Sequence, residues 1–470
     1  MKKRRIVSTL LALLLFAGVP AAALAAEWDI GNGDITVNAG SGGQTVTQGS
    51  QVDVPDSAPV ITGSSTENTL TINAEKDQTA NVTLSDVSID VRGKGKAAVS
   101  TNGEGNVSIE LNGDSTLKGG YKHAGLEKNN VGSLTIGDTD KDGKLTAKGG
   151  QYGAGIGGGY NGNGSDISIT SGEVNATGGT SGAGIGGGYN GNGSDITITD
   201  GEVNATGGKY GAGIGGGEYG IGKDIIITGG EVNATGGRFS AGIGGGSRGT
   251  GSDIKITGGE VNASGGVNGA GIGGGLRSKG NDITVSGDTK LKVQGGDEDN
   301  YDGAGAGIGD GGSNAYGTKI LGAEVEPDIC ALKPSGKIEY YAPGADMEKD
   351  TPISTTTGKP TEPAEPEQPE AERGAAAPLY RVTDRDGRDI ACTAEQKGGV
   401  LTVTVDADFA VLTASLSGMT ALRAQGVEKI IFVTNGAKTA VKLSTIISRL
   451  TASGVFRLTH DGKAATFTIG

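Results

Sequence analysis

One period constrains this chain more than any other feature. The run Gly153-Ala-Gly-Ile-Gly-Gly-Gly159 returns at Gly182, Gly211, Ser240 and Gly269, 29 residues apart each time. Copies that follow one another without insertion describe one structural unit stacked on itself. Each copy holds three short runs, such as Gly153-Ala-Gly-Ile-Gly157, Asp166-Ile-Ser-Ile-Thr170 and Glu173-Val-Asn-Ala-Thr177. Apolar residues alternate in them with small or polar ones, and glycine-rich corners separate them. Alternation of period two reads as strand, and no run is long enough for a helix. Three strands per 29-residue rung predict an all-β, right-handed parallel β-helix, with the hand taken from that of parallel crossover connections.

The regular rungs fall at about 153–290, inside a solenoid expected to span 26–345. Before them, Asp34–Asn38, Gln44–Thr47, Leu70–Asn73, Asn81–Ser85, Val87–Val91 and Asn106–Leu111 read as irregular rungs, with Trp28 covering the open end. Terminal rungs are atypical because an unpaired strand edge invites aggregation. Residues 320–341 are expected to close the other end. Proline and glutamate interleave over 346–378, which reads as an extended linker. Residues 379–470 read as a small α+β domain. Leu401–Val405 and Lys429–Val433 are its expected strands, Leu416–Gln425 and Leu443–Leu450 its helices, and Phe456–Ile469 a hairpin.

Lys2, Lys3, Arg4 and Arg5 precede an apolar run, and Ala23-Leu-Ala25 offers a small-x-small cleavage site. Residues 1–25 therefore read as a secretory signal peptide, which places the protein outside the cell or on its surface. Removing them takes the formal charge from −14 to −18. So acidic an exterior argues against nucleic acid and anionic membranes and favours cations. The chain has two cysteines, Cys330 and Cys392, which in an exported protein either pair or stay free.

A solenoid turns sequence period into spatial columns. With Val174 and Ala176 inward, three ladders face out: Glu173, Glu202, Glu231 and Glu260; Asn175, Asn204, Asn233 and Asn262; and Thr177, Thr206, Thr235 and Ser264. A second acidic column runs through Asp166, Asp195, Asp224, Asp253 and Asp282. Either these carboxylates bond turn amides and splay into solvent, or they hold Ca²⁺, the natural cation for oxygen ligands. Asp138-Thr-Asp140-Lys-Asp142-Gly143 has the opening spacing of a calcium loop. Its twelfth position is Gly149 rather than glutamate, so it is no EF-hand.

If Ala154 and Ile156 point inward, then Gly155, Gly184, Gly213, Gly242 and Gly271 line an outward strip nearly bare of side chains. Such glycine either serves close packing or leaves room for a flat ligand, such as a sugar chain or a second copy of the rod. Gly155 and its equivalents, with the Asn175 ladder, are the candidate ligand-binding residues. Asp138, Asp140 and Asp142 are the candidate calcium ligands. The two histidines, His123 and His460, lie near no plausible partner in sequence, and the solenoid's arginines (Arg92, Arg238, Arg248 and Arg277) occupy no repeated position. Catalysis is not expected.

Asn81-Val-Thr-Leu-Ser-Asp-Val-Ser-Ile-Asp90, Leu111–Lys118, Ser133–Gly137 and the glycine repeats together resemble secreted bacterial β-helix proteins with carbohydrate-binding domains. The resemblance covers roughly residues 28–320. It implies a pectate-lyase-like shape that binds acidic polysaccharide without cleaving it. Calcium bridging would reconcile an acidic rod with an acidic glycan. The expected function is non-enzymatic binding of an extracellular or cell-wall polysaccharide, assisted by Ca²⁺. The alternatives are an adhesive surface rod presenting the C-terminal domain and, third, a polysaccharide lyase or glycosidase.

Overall fold

The computed structural model describes residues 25–315, 318–320, 332, 335–343, 345–357, 380–385, 388, 390, 392–415, 419, 422–423, 426–447 and 455–469. The chain divides into two compact units, 1–362 and 363–470.

The first unit is a parallel β-solenoid built from sheets of 10, 12 and 11 strands. A regular rung runs from a two-residue strand, Ile156–Gly157, to Gly164–Ile169 and then to Glu173–Thr177. Each strand pairs in parallel with its copy 29 residues on, as in Val174 with Val203 and Ile185 with Ile214. Ile156, Ile167, Ile169, Val174 and their equivalents are fully buried in a single core that continues along the rungs. Helix is nearly absent because a rung offers no run longer than six residues between its corners.

Strand Gly164–Ile169 is bulged. Ser165 pairs with Ser194 and Ile167 with Ile196, while Asp166 and Asp195 are left out of the ladder. Asp166, Asp195, Asp224, Asp253 and Asp282 all have φ between 51° and 54°. Aspartate tolerates this left-handed conformation better than most residues do. The acidic column thus marks a bulge repeated in every rung.

The ends depart from the expected rungs. Gly43–Gln48 and Gln51–Pro55 are not solenoid strands; they extend one sheet as antiparallel strands beside Ile35–Gly40. Trp28 is buried in the first strand, Glu27–Asp29, and its Nε1 donates to Asp56 Oδ2 at 2.9 Å. At the other end Lys337–Tyr341 pairs in parallel with Lys290–Gln294, and Ser354–Thr357 then turns back along it. Ser354–Thr357, inside the expected linker, is therefore one of the solenoid's closing strands. Residues 358–378 and Cys330 lie outside the described residues, and Cys392 is free and exposed.

The second unit is mostly β, with two four-stranded sheets. The expected strands stand at Val400–Thr404 and Lys429–Val433, and the hairpin at Val455–Asp461 and Ala464–Ile469. A short helix spans Leu443–Ile447. Most of the other expected helix, 416–425, lies outside the described residues.

Candidate functional site

The glycine run does not form an outward strip. Gly153 to Gly159 are all buried, as are Gly155, Gly184, Gly213, Gly242 and Gly271. A Cβ on Gly155, Gly184, Gly213 or Gly242 would lie 2.6–2.7 Å from the carbonyl oxygen of the glycine one rung on, closer than Cβ atoms ever approach backbone. These positions need glycine because the backbones of successive rungs meet there. The alternation assumed from sequence also stops short, since only Ile156 and Gly157 pair as strand. The geometric reason for placing a ligand on Gly155 and its equivalents is thereby lost.

Each short strand is flanked by two turns, 150–153 and 159–162, which converge across rungs. Tyr160 N donates to Lys122 O at 2.7 Å, Tyr189 N to Tyr152 O at 2.8 Å, and Ser247 N to Tyr210 O at 2.9 Å. The glycines build these turns, and the tips carry other residues. One tip column reads Tyr152, Ser181, Tyr210, Phe239, Asn268, and the other Tyr160, Tyr189, Glu218, Ser247, Leu276. Convergence gathers the aromatics. Tyr121 and Tyr152 meet edge to face at 5.2 Å between ring centres, Tyr160 and Tyr189 stack at 5.4 Å, and Tyr219 touches Tyr189 at 5.9 Å. Tyr210 stacks on Phe239 at 5.8 Å. Tyr121, Tyr160 and Tyr219 remain 52, 41 and 45% exposed, which is unusual for rings that are in contact with one another.

Cations edge these rings. Lys122 lies 4.7 Å above Tyr160, Lys209 4.9 Å from Tyr210, Arg238 5.0 Å from Phe239 and Arg248 5.8 Å from Tyr219. Arg238 and Arg248, which look scattered in sequence, thus both sit against rings of the glycine turns, whereas Arg92 pairs with Asp90. The next turn position reads Asn161, Asn190, Tyr219, Arg248, Arg277, with φ between 55° and 65° throughout. Asparagine suits that conformation, whereas tyrosine and arginine are strained in it. Arg277 is explained by its bidentate pair with Asp302, at 2.8 and 3.0 Å. Tyr219 and Arg248 make no such ion pair among the described residues, their side chains meeting rings and each other, and strain of this kind gathers at functional sites.

The asparagine ladder forms as its spacing predicts. Asn204 Nδ2 donates to Asn175 Oδ1 at 3.0 Å, Asn233 to Asn204 at 2.9 Å and Asn262 to Asn233 at 2.7 Å. Glu173 accepts from Asn175 and pairs with Lys144, which holds its carboxyl below the usual range. A second ladder joins Asn38, Asn73 and Asn102 beside a groove of about 590 Å³ at the N-terminal end. These amides mainly satisfy one another.

Asp138, Asp140 and Asp142 bring one carboxylate oxygen each within 4.8 Å of the others. Asp138 is buried, and its two oxygens accept from Lys141 N and Gly143 N at 2.8 Å, as an Asp-headed turn does. Desolvation, then its bonds to Asp138 and Asp142, raises the Asp140 carboxyl above its ordinary range. An oxygen-only donor set of this kind suits a hard cation.

Both histidines have partners, against the sequence expectation: that of His123 lies four residues on, and those of His460 are distant in sequence. His123 Nδ1 lies 2.9 Å from Glu127 Oε2, and that hydrogen bond raises the imidazole above its usual value. His460 is buried between Thr434 and Thr439 hydroxyls, and burial lowers it.

The beta helix repeat family model matches residues 141–160, 167–189, 196–218, 225–247 and 254–276. No curated protein and no solved structure matches the chain. Among the described residues no helix is long and apolar enough to cross a membrane. The repeat match and the strand pairing together show that the first unit is a parallel β-helix.

Proposed function

We propose that the solenoid is a non-enzymatic binder of extended acidic polysaccharide, exported from the cell, and that the glycan lies along the tyrosine-and-cation strip. The carrying observation is the row of partly exposed rings from Tyr121 to Phe239, edged by Lys122, Lys209, Arg238 and Arg248. Aromatic faces offer apolar contact to the C–H faces of sugars at little entropic cost. The cations give a carboxylated sugar a local partner on an otherwise acidic rod. This arrangement meets the electrostatic objection without a bridging metal at the strip. The row crosses four rung spacings, about 20 Å, which suits a chain rather than a single sugar.

Calcium at Asp138, Asp140 and Asp142 is a second element of the proposal. There it would neutralise the crowded carboxylates and brace the turn that opens the regular rungs.

The test is a glycan array with fragments 26–357 and 379–470, run with Ca²⁺ and with EDTA. The expected result is binding of uronic-acid polymers by the first fragment, lost in Tyr160→Ala/Tyr189→Ala while that variant's thermal midpoint stays close to the parent's. Binding that survives EDTA separates the strip from the metal element. Binding unchanged by the tyrosine substitutions overturns the placement. If neither fragment binds any glycan, the reading falls in favour of a rod that presents the second unit, which the division into two compact units favours.

A further inference from the structure

The N-terminal end of the solenoid holds a buried carboxylate that makes no ion pair among the described residues. Asp56 is 1% exposed. Its Oδ2 accepts from Trp28 Nε1 at 2.9 Å and from Ala26 N at 3.1 Å, and its Oδ1 accepts from Ala58 N at 3.1 Å. Its backbone is fixed as well, with its N–H donated to Gln44 O and its carbonyl accepting from Gln44 Nε2. Among the described residues, no ion pair includes it. A buried carboxylate served only by neutral donors is costly, and a cation in hydrogen-bond contact removes most of that cost.

One of those donors is the amide nitrogen of Ala26, the residue that follows the small-x-small sequence ending at Ala25. We propose that leader removal after Ala25 supplies the missing cation. A signal-type peptidase adds water across the Ala25–Ala26 bond, leaving a carboxylate on Ala25 and an α-ammonium on Ala26. The nitrogen that donated one neutral hydrogen bond to Asp56 then carries a full positive charge at the same place. Ala26 is already anchored there, because its carbonyl accepts from Val60 N at 2.9 Å. The new ion pair locks the first strand, Glu27–Asp29, and the Trp28 plug over the open end of the rod. While the leader remains attached, the Ala26 nitrogen offers Asp56 only a neutral hydrogen bond, and the cap is weaker. Processing and closure of the solenoid are thus one event.

The inference rests on reading residues 1–25 as a removed leader and is independent of the ligand. N-terminal sequencing of the protein secreted from a bacterial host tests the first step, and a first residue other than Ala26 overturns the proposal. The second step is tested on chains beginning at Ala26 and at Ala25, released from a fusion by a protease that leaves no extra residue. The longer chain moves its ammonium one Cα step, about 3.8 Å, from Asp56. The pH dependence of acylation by an N-hydroxysuccinimide ester, read by peptide mapping, reports each α-amine. The Ala26 amine is expected to titrate at least one unit above the ordinary α-amino value of about 7.7–8.0, and the Ala25 amine at that value. Asp56→Asn in the Ala26 chain should return its amine to the ordinary value. Should that variant fail to fold, the thermal midpoint decides instead, with the Ala25 chain expected at least ~2 °C below the Ala26 chain. An Ala26 amine that titrates normally, or equal midpoints, overturns the lock.

Discussion

Two faces of the same rungs use repetition in opposite ways. On the face of Glu173–Thr177 and its copies, every rung presents the same glutamate and asparagine, and the asparagines bond one another. On the face built by the glycine turns, the backbone is constant and the tips vary from tyrosine to phenylalanine, glutamate, arginine and leucine. Identity along a column marks residues that serve the stack. Variation on an unvarying scaffold marks residues freed from that duty, and here the exposed rings and cations collect. The repeated residues hold the rod together, and the unrepeated ones are released from that constraint.

The sharpest way to break this comparison is to treat a scaffold glycine as though it were surface. Gly184→Val with Gly213→Val places side-chain carbon against backbone oxygen in adjacent rungs and should cost at least about 4 kcal/mol, or prevent folding, in a denaturant melt followed by circular dichroism. Near-native stability would mean that the turns do not pack as described. Next in size is the ladder. Asn204→Ala leaves Asn175 Oδ1 without its donor and Asn233 Nδ2 without its acceptor, at an expected cost of about 1–3 kcal/mol for orphaning half-buried polar groups. Asn262→Ala should cost less, because its Oδ1 already lacks a partner at the ladder's end.

A third test turns on the strained tips. Arg248→Asn should stabilise the fold by about 0.5–1 kcal/mol, since asparagine accepts the left-handed backbone that arginine resists. The same change should weaken binding of an acidic glycan at low salt, so that stability and affinity move in opposite directions. Equal losses of both would make Arg248 scaffold. The smallest effect concerns pH. Glu127 raises His123 above its unfolded value near 6.5, so the pair's stabilisation is fully present below about pH 6.5 and is lost as pH rises through the higher folded value. Glu127→Gln should flatten that dependence in thermal melts taken between pH 5 and 8.

Much of the solenoid was legible because its core obeys local rules. Val174 and Ala176 point inward as alternation requires, and the 29-residue period is the strand register itself. The glycine face was misread for a reason equally physical. Alternation assigns a side to every residue of a strand, but Gly153–Gly155 precede the two-residue strand, and what covers Gly153 and Gly155 is the carbonyl of another rung. The aromatic strip escaped because a search for identical columns discards Tyr152, Ser181, Tyr210 and Phe239 as noise. Only the meeting of two turns in space shows that Tyr121, Tyr152, Tyr160 and Tyr189 are neighbours. Looking for residue class at the glycine corners, rather than for identity, would have found them. The antiparallel strands at the N-terminal end were opaque for the opposite reason, because Gln44–Thr47 alternates just as a rung strand does and only its partner differs.

The unbroken 29-residue register has a consequence for how such a molecule changes over generations. Each regular rung touches only the rungs before and after it, and both ends are closed by strands outside the repeat. Unequal recombination between repeats can therefore add or delete a whole rung, altering the rod's length in steps of about 4.8 Å without disturbing either closure. Each such event also slides one set of tyrosines past another. The length of the rod is thus adjusted by copy number rather than by point substitution.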